Sequence, residues 1–327
     1  MLWSSALASV VVTLLCLKLL LSAFGRHLVL DHPNERSLHE RPVPRTGGIA
    51  IIMGVTAGWA VAQPGLAVAL GLAAMLGALS FADDVFELPT ELRFGAHLLA
   101  ATALVAWEVR FPGWTLFVVF VFAIAWYANL YNFMDGSDGL AGGMALIGFG
   151  TYAAAAQLDG AQPLAAVCAT LAAGAAAFLT SNFPPARIFM GDVGSVPLGF
   201  LAGSLGLIGW NDGLWPLWFP LLAFAPFVCD ATLTLLRRAL RREPLWRAHR
   251  EHYYQRLVRM GFGHRGTALI EYSVMILCGL VALSVRHAAP RMQILAIGSL
   301  SAALVAIAVW VDVRWTRFRR NAGQAHA

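Results

Sequence analysis

Charge is scarce in this chain: only 13% of its 327 residues are Asp, Glu, Lys or Arg, whereas 59% are hydrophobic. A soluble domain carries about twice that share of charged residues. Lysine is almost absent, since Lys18 is the only lysine among 23 basic residues. This composition excludes an ordinary soluble protein and indicates an integral membrane protein. The net charge of +5 could suggest nucleic acid, but the arginines follow membrane topology, so we expect no nucleic-acid partner.

Cysteine is also rare, and all four cysteines fall within apolar runs: Cys16, Cys168, Cys229 and Cys278. We expect small buried thiols there, not disulfides or metal ligands. No cleavable signal peptide is predicted, because nothing basic precedes the first apolar run and no small-residue cleavage pattern ends it. Long repeats and low-complexity linkers are lacking too. We therefore predict a single membrane-embedded domain over residues 1–327.

The chain contains about eleven apolar runs of membrane-spanning length or slightly below it, where a span needs about 20 residues. We therefore predict an all-α, polytopic membrane protein with about 11 transmembrane helices. The runs are Leu2–Phe24, Gly47–Gln63, Leu66–Ala82, Phe94–Val109, Trp114–Tyr131, Leu140–Gln157, Pro163–Phe183, one that ends at Trp210, one that begins at Trp215, Thr267–Val285 and Met292–Val311. The run that begins at Trp215 is interrupted by Pro220, Pro226 and Asp230.

Arginine is distributed unequally between alternate loops. Nineteen arginines fall on one side, in 25–46, in the loops with Arg93 and Arg187, in 237–265 and in the tail. The other side carries only Arg110, Arg286 and Arg291. By the positive-inside rule the arginine-rich side is cytoplasmic. This rule predicts an N-terminus outside the cell and a cytoplasmic C-terminus.

Two amides and two carboxylates follow the uncharged run Trp114–Trp126 at a spacing of three: Asn129, Asn132, Asp135 and Asp138. A step of three residues along a helix ends only about 60° short of a full turn. The first three of these side chains therefore share one face. Gly136 and Gly139 would let the backbone unwind around a ligand. A polar loop that only caps two helices is the alternative. Four polar groups between apolar spans favour a functional site.

Two further acidic motifs fall on the same arginine-rich side. Asp83, Asp84 and Glu87 follow the third span, and carboxylates so close together favour a bound cation or a protonated member. An acidic helix cap is the alternative for this motif. Asp192, in Gly191-Asp192-Val-Gly194-Ser195, precedes the eighth span, where helix amides and a carboxylate could hold Mg²⁺ or a phosphate. The alternative for Asp192 is a simple helix cap.

Two basic segments on that side suit an anion. The first, 246–256, contains His249 and His252, which are three residues apart. The second contains Arg41 and Arg45, which precede the pair Gly47-Gly48 at a helix start. Amides at a helix start can hold an anion. The histidine segment lacks further ligands for zinc, apart from a distant His264, so it suits a diphosphate better. A solvated loop that only obeys the positive-inside rule is its alternative.

Together these segments place carboxylates, amides, histidines and arginines on one side of a bilayer. Such a set suits transfer of a phosphoryl-linked group, in which charge neutralisation and positioning supply most of the catalysis. The expected metal is Mg²⁺, with Mn²⁺ as the alternative, and the membrane suggests a lipid substrate. A transporter with a cytoplasmic anion site would instead place polar residues near the bilayer midplane, often in repeated broken helices. A catalytically dead scaffold would lack a key carboxylate, and none is missing.

Four motifs stand in an order and spacing that are known from one superfamily: Asp83-Asp84, Asn129-x-x-Asn132-x-x-Asp135-Gly-x-Asp138-Gly-Leu, Phe189-Met-Gly-Asp192-x-Gly-Ser195 and His249-x-x-His252. The chain resembles the polyprenyl-phosphate N-acetylhexosamine-1-phosphate transferases of glycosyltransferase family 4. That superfamily includes the peptidoglycan phospho-MurNAc-pentapeptide translocase and enzymes that begin O-antigen and teichoic-acid synthesis. The resemblance implies Mg²⁺-dependent transfer of a sugar 1-phosphate from a UDP-N-acetylhexosamine to undecaprenyl phosphate, with release of UMP. It also implies a bacterial inner-membrane protein with a cytoplasmic active site.

The resemblance implies a role for each matching residue. Asp83 resembles the group that deprotonates or orients the lipid phosphate, and Asp84 stands beside it near the metal. Asn132 and Asp192 resemble metal-site positions. Asp135 and Asp138 resemble nucleotide-site and catalytic carboxylates. Contacts to substrate are expected from Asn129, His249 and His252, which lie in the matching motifs, and from Arg41 and Arg45, which lie outside them.

The details of the motifs favour one branch of that superfamily. The eleventh span and the cytoplasmic tail favour the O-antigen-type branch. The peptidoglycan-type translocase, whose loop is richer in histidine, is the second candidate. Glu87 stands where many relatives have Asp. The donor sugar, a homodimer and the choice between direct attack and a covalent enzyme intermediate stay open at this stage.

Overall fold

The computed structural model of this protein describes residues 2–22, 30–31, 42–62, 65–86, 88–111, 113–244 and 249–324. The helices are α1 (Leu2–Leu20), α2 (Gly47–Ala62), α3 (Ala67–Phe86), α4 (Thr90–Glu108), α5 (Trp114–Met134), α6 (Leu140–Leu158), α7 (Gln162–Asn182), α8 (Asp192–Asn211), α9 (Trp218–Ala223), α10 (Ala225–Leu240), α11 (Tyr253–Leu257), α12 (Gly263–Val285) and α13 (Pro290–Gln324). A π-helical turn, Val258–Phe262, joins α11 to α12. In this part of the chain the only strands are β1 (Leu30–Asp31) and β2 (Val43–Pro44), which pair antiparallel. The prediction of an all-α protein is confirmed.

Seven helical segments among the described residues are long and apolar enough to cross a membrane. They are α1, α3, α5, α7, α8, the run Tyr253–Val285 that contains α11 and α12, and Pro290–Asn321 in α13. The segment Gly47–Val61 of α2 is apolar but shorter. The remaining predicted runs are helical too, as α4, α6 and the pair α9 and α10. A multi-pass architecture is therefore confirmed. The count of about eleven spans and the orientation of the termini stay predictions.

Three predicted runs differ from the structure in where they end or break. The run that begins at Trp215 is interrupted, as predicted, but the break lies at Phe224. Pro226 lies in the first turn of α10, where proline fits a helix start, and Asp230 lies within that helix. The helix α3 continues to Phe86, so its last turn carries Asp83 and Asp84. The helix α13 continues past Val311 to Gln324, and neither Pro nor Gly occurs between Val311 and Gly323 to end it earlier.

The helix α8 lies at the centre of the bundle, with nearly all its residues buried. It runs antiparallel to α5 and very close to it. A Cβ at Gly199 would lie 2.8 Å from Cα of Ala128, so only a glycine allows the two backbones to approach this closely. This packing brings Asp192, at the start of α8, beside the C-terminal turns of α5.

Candidate functional site

A cavity of about 1150 Å³ lies where the last turns of α3 and α5 meet the start of α8. It is lined by nine of the residues that were selected from the sequence: Arg45, Asp83, Asn129, Asn132, Asp135, Asp138, Asp192, His249 and His252. Asp84 does not line the cavity, although its partner Arg45 does. Arg41 and Glu87 lie outside the described residues. Nine of the selected residues therefore meet in one cavity, and the chemical role of each stays a prediction.

The two asparagines of α5 lie one turn apart and contact different helices. Nδ2 of Asn129 lies 3.2 Å from Nδ1 of His97, in α4. Nδ2 of Asn132 donates to Oδ1 of Asp192 at 2.8 Å and to Oγ of Ser195 at 3.0 Å. Because the amide nitrogen of Asn132 is occupied in this way, its carbonyl oxygen is the atom that can serve a ligand.

Asp135 and Asp192 form an electrostatic pair at the end of α5. The pKa of Asp135 is held well above its usual range, first because the surrounding protein desolvates the carboxyl group and second because Asp192 is close. A hydrogen bond from the N–H of Gly191 opposes this rise. Carboxylates so placed repel each other unless one is protonated or a cation lies between them. This part of the cavity therefore favours positive charge.

The alternative role of Asp192 as a simple helix cap is wrong. The N-cap of α8 is Gly191, and Asp192 is the first helical residue. Its carboxylate reaches across to Asn132 instead. Asp192 therefore keeps its charge directed at the cavity.

The oxygen atoms of Asn132, Asp135 and Asp192 fit a Mg²⁺ ion by their chemistry, since Mg²⁺ prefers hard oxygen ligands. Among the residues that the structure describes, no three His, Cys, Asp or Glu side chains meet as a complete metal cage. Mg²⁺ does not need one, because waters and substrate phosphates commonly complete its shell around one or two carboxylates. The arrangement suits a Mg²⁺ ion that is held jointly with a phosphate-bearing substrate.

Asp138 is tied to two distant segments of the chain. Its Oδ2 accepts the N–H of Ala186 at 2.9 Å, and its Oδ1 lies 3.7 Å from Nδ1 of His264. The same Nδ1 lies 2.9 Å from Oγ of Ser137 and accepts the backbone N–H of Asp138 at 3.3 Å. Because a backbone N–H only donates, Nδ1 is the acceptor, and the proton of the neutral ring is on Nε2. His264, which looked distant in the sequence, lies in the cavity wall.

Asp83 and Asp84 bind different arginines. Oδ2 of Asp83 accepts from Nη1 of Arg93 at 2.6 Å, and its Oδ1 accepts the N–H of Leu88 at 2.8 Å. Oδ1 of Asp84 lies 3.2 Å from Nη2 of Arg45. Both arginines line the cavity and are about one-third exposed, so each carboxylate fixes a guanidinium where an anion would meet it.

The expectation that the first amides of α2 hold an anion is wrong. The N–H of Gly47 donates to the carbonyl of Phe189 at 2.9 Å, and the N–H of Gly48 donates to the carbonyl of Met190 at 2.8 Å. Main-chain carbonyls thus satisfy the amides that an anion would use. Within residues 42–48, the part of this segment that the structure describes, Arg45 is the residue that lines the cavity.

His252 is oriented by a carboxylate of α10. Its Nδ1 lies 3.0 Å from Oδ1 of Asp230, which also accepts the N–H of Tyr253 at 3.0 Å, while Oδ2 accepts the N–H of Tyr254 at 3.1 Å. The carboxylate keeps a proton on Nδ1, so Nε2 is the nitrogen that can serve a ligand. The hydroxyl of Tyr254 donates to the carbonyl of Phe133 at 3.2 Å, which docks the histidine segment on the motif of α5.

His249 contributes hydrogen bonds and not positive charge. Burial, then the charges of His252 and Arg238, lower the pKa of His249 to about 4. The ring is therefore neutral near pH 7. Arg45 and Arg93, which line the cavity, supply positive charge there.

One wall of the cavity is apolar. It is formed by residues of α3, α4, α5 and α10: Leu79, Phe94, Phe122, Trp126, Phe133 and Leu235. Three of these side chains are exposed: Phe94, Phe122 and Phe133. An apolar wall that continues into a charged end suits an amphiphile with an anionic head group.

Three residues of the site were not selected from the sequence: Arg93, Asp230 and His264. Asp230 had the clearest signal, since a lone carboxylate in an apolar run of a membrane protein usually marks function, but it was interpreted only as an interruption. His264 had no local signal, because its partner Ser137 lies 127 residues away. Arg93 had no local signal either and was noticed only as one of the arginines that indicate topology.

Comparison with known proteins relates the chain to a group of transferases. The model of Glycosyl transferase family 4 matches residues 66–209. The chain is 30% identical to a probable undecaprenyl-phosphate N-acetylglucosaminyl 1-phosphate transferase of Bacillus subtilis, over 79% of this chain and 78% of that protein. It is 27% identical to the decaprenyl-phosphate N-acetylglucosaminephosphotransferase of Mycobacterium tuberculosis, over 74% and 72%. It is 24% identical to the undecaprenyl-phosphate alpha-N-acetylglucosaminyl 1-phosphate transferase of Escherichia coli, over 90% and 89%.

Proposed function

Since this chain belongs to glycosyl transferase family 4, in the polyprenyl-phosphate hexosamine-1-phosphate transferase superfamily, we propose the following reaction for it. It transfers an N-acetylhexosamine 1-phosphate from a UDP-sugar to undecaprenyl phosphate. An oxygen of the lipid phosphate bonds to the β-phosphorus of the donor, and the bond from that phosphorus to the bridging oxygen breaks. UMP leaves with the bridging oxygen, and the product is an undecaprenyl-diphosphate sugar.

One observation carries this proposal: a single cavity joins carboxylates, fixed arginines and oriented histidines to an apolar wall. The apolar wall suits the chain of a lipid, and the charged end suits two phosphate-bearing groups. Phosphoryl transfer needs charge neutralisation and alignment more than covalent chemistry. The residues of this cavity supply both.

Mg²⁺ is the proposed metal, and Asp192, Asn132 and Asp135 are the residues that would hold it. When bound, it would neutralise charge on the diphosphate of the donor. Asp83 holds Arg93 at the cavity, and this pair is proposed to orient the phosphate of the lipid. Asp84 holds Arg45 in the same manner for a second anionic group.

The other proposed contacts are to the donor. Asp138, fixed by Ala186 and His264, is proposed to face the nucleotide together with Asp135. Asn129 is proposed as a further donor contact beside them. His252, with Nδ1 bound to Asp230, presents Nε2 to the sugar or diphosphate, and the neutral His249 assists it by hydrogen bonding.

The experiment that tests this function is a panel of donors. Purified protein in detergent with Mg²⁺ and undecaprenyl phosphate should release UMP from at least one UDP-N-acetylhexosamine. The names of the three relatives make UDP-N-acetylglucosamine the first donor to test. A chelator should stop the release, and an Asp212→Asn variant, outside the cavity, should keep it. Metal-independent turnover would refute the Mg²⁺ assignment, and no UMP from any donor would favour a non-enzymatic class such as a transporter.

We also propose that the active site faces the cytoplasm, where nucleotide sugars are made, and that the product begins an O-antigen-type surface polysaccharide. With the four native cysteines replaced, a cysteine at Thr90 should react only with reagents that cross the inner membrane, while one at Asp212 should react from outside. The opposite pattern would invert the predicted topology.

The pathway is tested by expressing the chain in a bacterium that lacks its own initiating transferase. An unrestored surface polysaccharide would refute that role.

A further inference from the structure

A cluster of four side chains joins the last helix to the histidine segment. Nη1 and Nη2 of Arg237, in α10, donate to Oδ1 and Oδ2 of Asp312, in α13, at 2.8 and 2.7 Å. Nη1 of Arg256, in α11, donates to Oδ1 of the same carboxylate at 2.8 Å. The hydroxyl of Tyr253 donates to its Oδ2 at 3.4 Å. We name these four residues the Asp312 cluster.

The charges of this cluster depend on Asp312. Arg256 is buried, with a side chain only 7% exposed, and within the described residues its ion pair is with Asp312. Arg237 likewise pairs with Asp312. Both guanidinium groups also lie over the ring of Tyr253, at 5.3 and 5.1 Å from its centroid. Without the carboxylate, two cations would lie close together without a counter-charge, and one of them would be buried.

Apolar contacts reinforce the same junction. Val311, next to Asp312 in the chain, is 1% exposed and packs with Tyr253 and Leu257 in a small cluster of its own. The rest of α13 is largely exposed. Asp312 lies about 33 Å along this helix from Pro290, which is about the thickness of a bilayer core. The contact of α13 with α11 is therefore made near one end of a membrane-spanning length.

The helix α11 requires such support because it has only five residues and cannot be stable alone. Asp230 accepts the N–H groups of its first two residues, and Asp312 binds the side chains of Tyr253 and Arg256. Tyr253 belongs to both junctions, through its N–H and its hydroxyl. His252 precedes α11 directly, and the hydroxyl of Tyr254 reaches the carbonyl of Phe133 at the cavity.

We infer that Asp312 is a positioning residue for the transfer reaction. Through Arg256 and Tyr253 it holds α11 in place, and α11 holds His252 and Tyr254 against the cavity. The last helix is thus part of the support of the active site, although none of its residues lines the cavity within the described chain. The inference rests on the proposed function for its effect on turnover, while its effect on α11 can be measured without turnover.

Substitutions at Asp312 test the effect on turnover. Asp312→Asn should lower the rate of UMP release by about tenfold or more, and Asp312→Glu, which keeps the charge, should recover part of the loss. In a His252→Gln background, Asp312→Asn should lower the rate by less than about twofold further, because the residue through which it acts is already altered. Equal losses in the two backgrounds would overturn the inference.

Asp159 provides a matched control in another ion-pair cluster. It lies between α6 and α7, accepts from Nε and Nη2 of Arg286 at 3.2 and 2.9 Å, and lies 3.0 Å from Nε2 of His287. Asp159→Asn should lower the melting temperature, as Asp312→Asn does. Its effect on the rate should be small and the same with His252 or Gln at position 252. A loss of rate as large as that of Asp312→Asn would show a general structural effect and contradict the inference.

Hydrogen–deuterium exchange tests the position of α11 without any substrate. In Asp312→Asn, amides of residues 253–257 should exchange faster, whereas Asp159→Asn should leave them unchanged. Unchanged exchange of this segment in Asp312→Asn would overturn the inference. If the wild-type chain released no UMP from any donor, the proposed function would fail, and the exchange result would still decide whether Asp312 holds α11.

Discussion

Replacing Asp192 with asparagine should raise the Mg²⁺ concentration for half-maximal UMP release and lower the rate at saturating Mg²⁺. The substitution removes a charge next to Asp135 while keeping the shape that receives the hydrogen bond of Asn132. Fewer anionic oxygens weaken the proposed metal site. A group that acts mainly in the transition state commonly contributes about 10²–10⁴-fold in rate. Titration of Mg²⁺ against initial rate measures both effects.

Asp83→Asn provides the contrast within the same experiment. Asp83 binds Arg93 and the N–H of Leu88, so its loss should release Arg93 from the place proposed for the lipid phosphate. The rate at saturating Mg²⁺ should fall, the KM for undecaprenyl phosphate should rise, and the Mg²⁺ midpoint should change little. If Asp83→Asn shifted the midpoint and Asp192→Asn did not, the two roles would be assigned the wrong way round.

Asp230→Asn should lower the rate by about 10²-fold, because buried hydrogen-bond donors that lose an acceptor are costly. Both oxygens of Asp230 accept, from His252, Tyr253 and Tyr254, so the amide nitrogen of asparagine must face one of these donors. The segment that carries His252 should then shift from the cavity. Initial rates and thermal unfolding of the variant measure the catalytic and the structural loss.

Thr234→Val is the matched control for Asp230. The hydroxyl of Thr234 donates to Oδ1 of Asp230 at 3.0 Å, but both residues belong to α10, so this bond does not join α10 to α11. The control should keep most of the activity. An Asp230→Asn variant as active as this control would contradict the role of Asp230 in orienting His252.

The sequence predicted best what depends on neighbours along the chain. A spacing of three placed Asn129, Asn132 and Asp135 on one side of α5, and all three line one cavity. Apolar length predicted helices, although α4 and α6, of 19 residues each, are long enough for a span but are not among the segments that are also apolar enough. The number of times the chain crosses the membrane therefore does not follow from the described helices alone.

What the sequence could not predict depends on contacts between distant segments. The amides of Gly47 and Gly48 looked free for an anion, but residues from the loop before α8 satisfy them. Asp230 looked like a break in an apolar run until α11 placed His252 beside it. Asp192 looked able to cap its own helix, and its carboxylate instead meets Asn132, 60 residues away.

A label in the donor distinguishes transfer of the sugar together with its phosphate from transfer of the sugar alone. The protein is given undecaprenyl phosphate, Mg²⁺ and a UDP-N-acetylhexosamine with ³²P in the β-phosphate. The label should enter the lipid fraction in step with the release of unlabelled UMP. Transfer of the sugar alone would leave the label in water-soluble UDP and no label in the lipid, and that result would refute the proposed reaction.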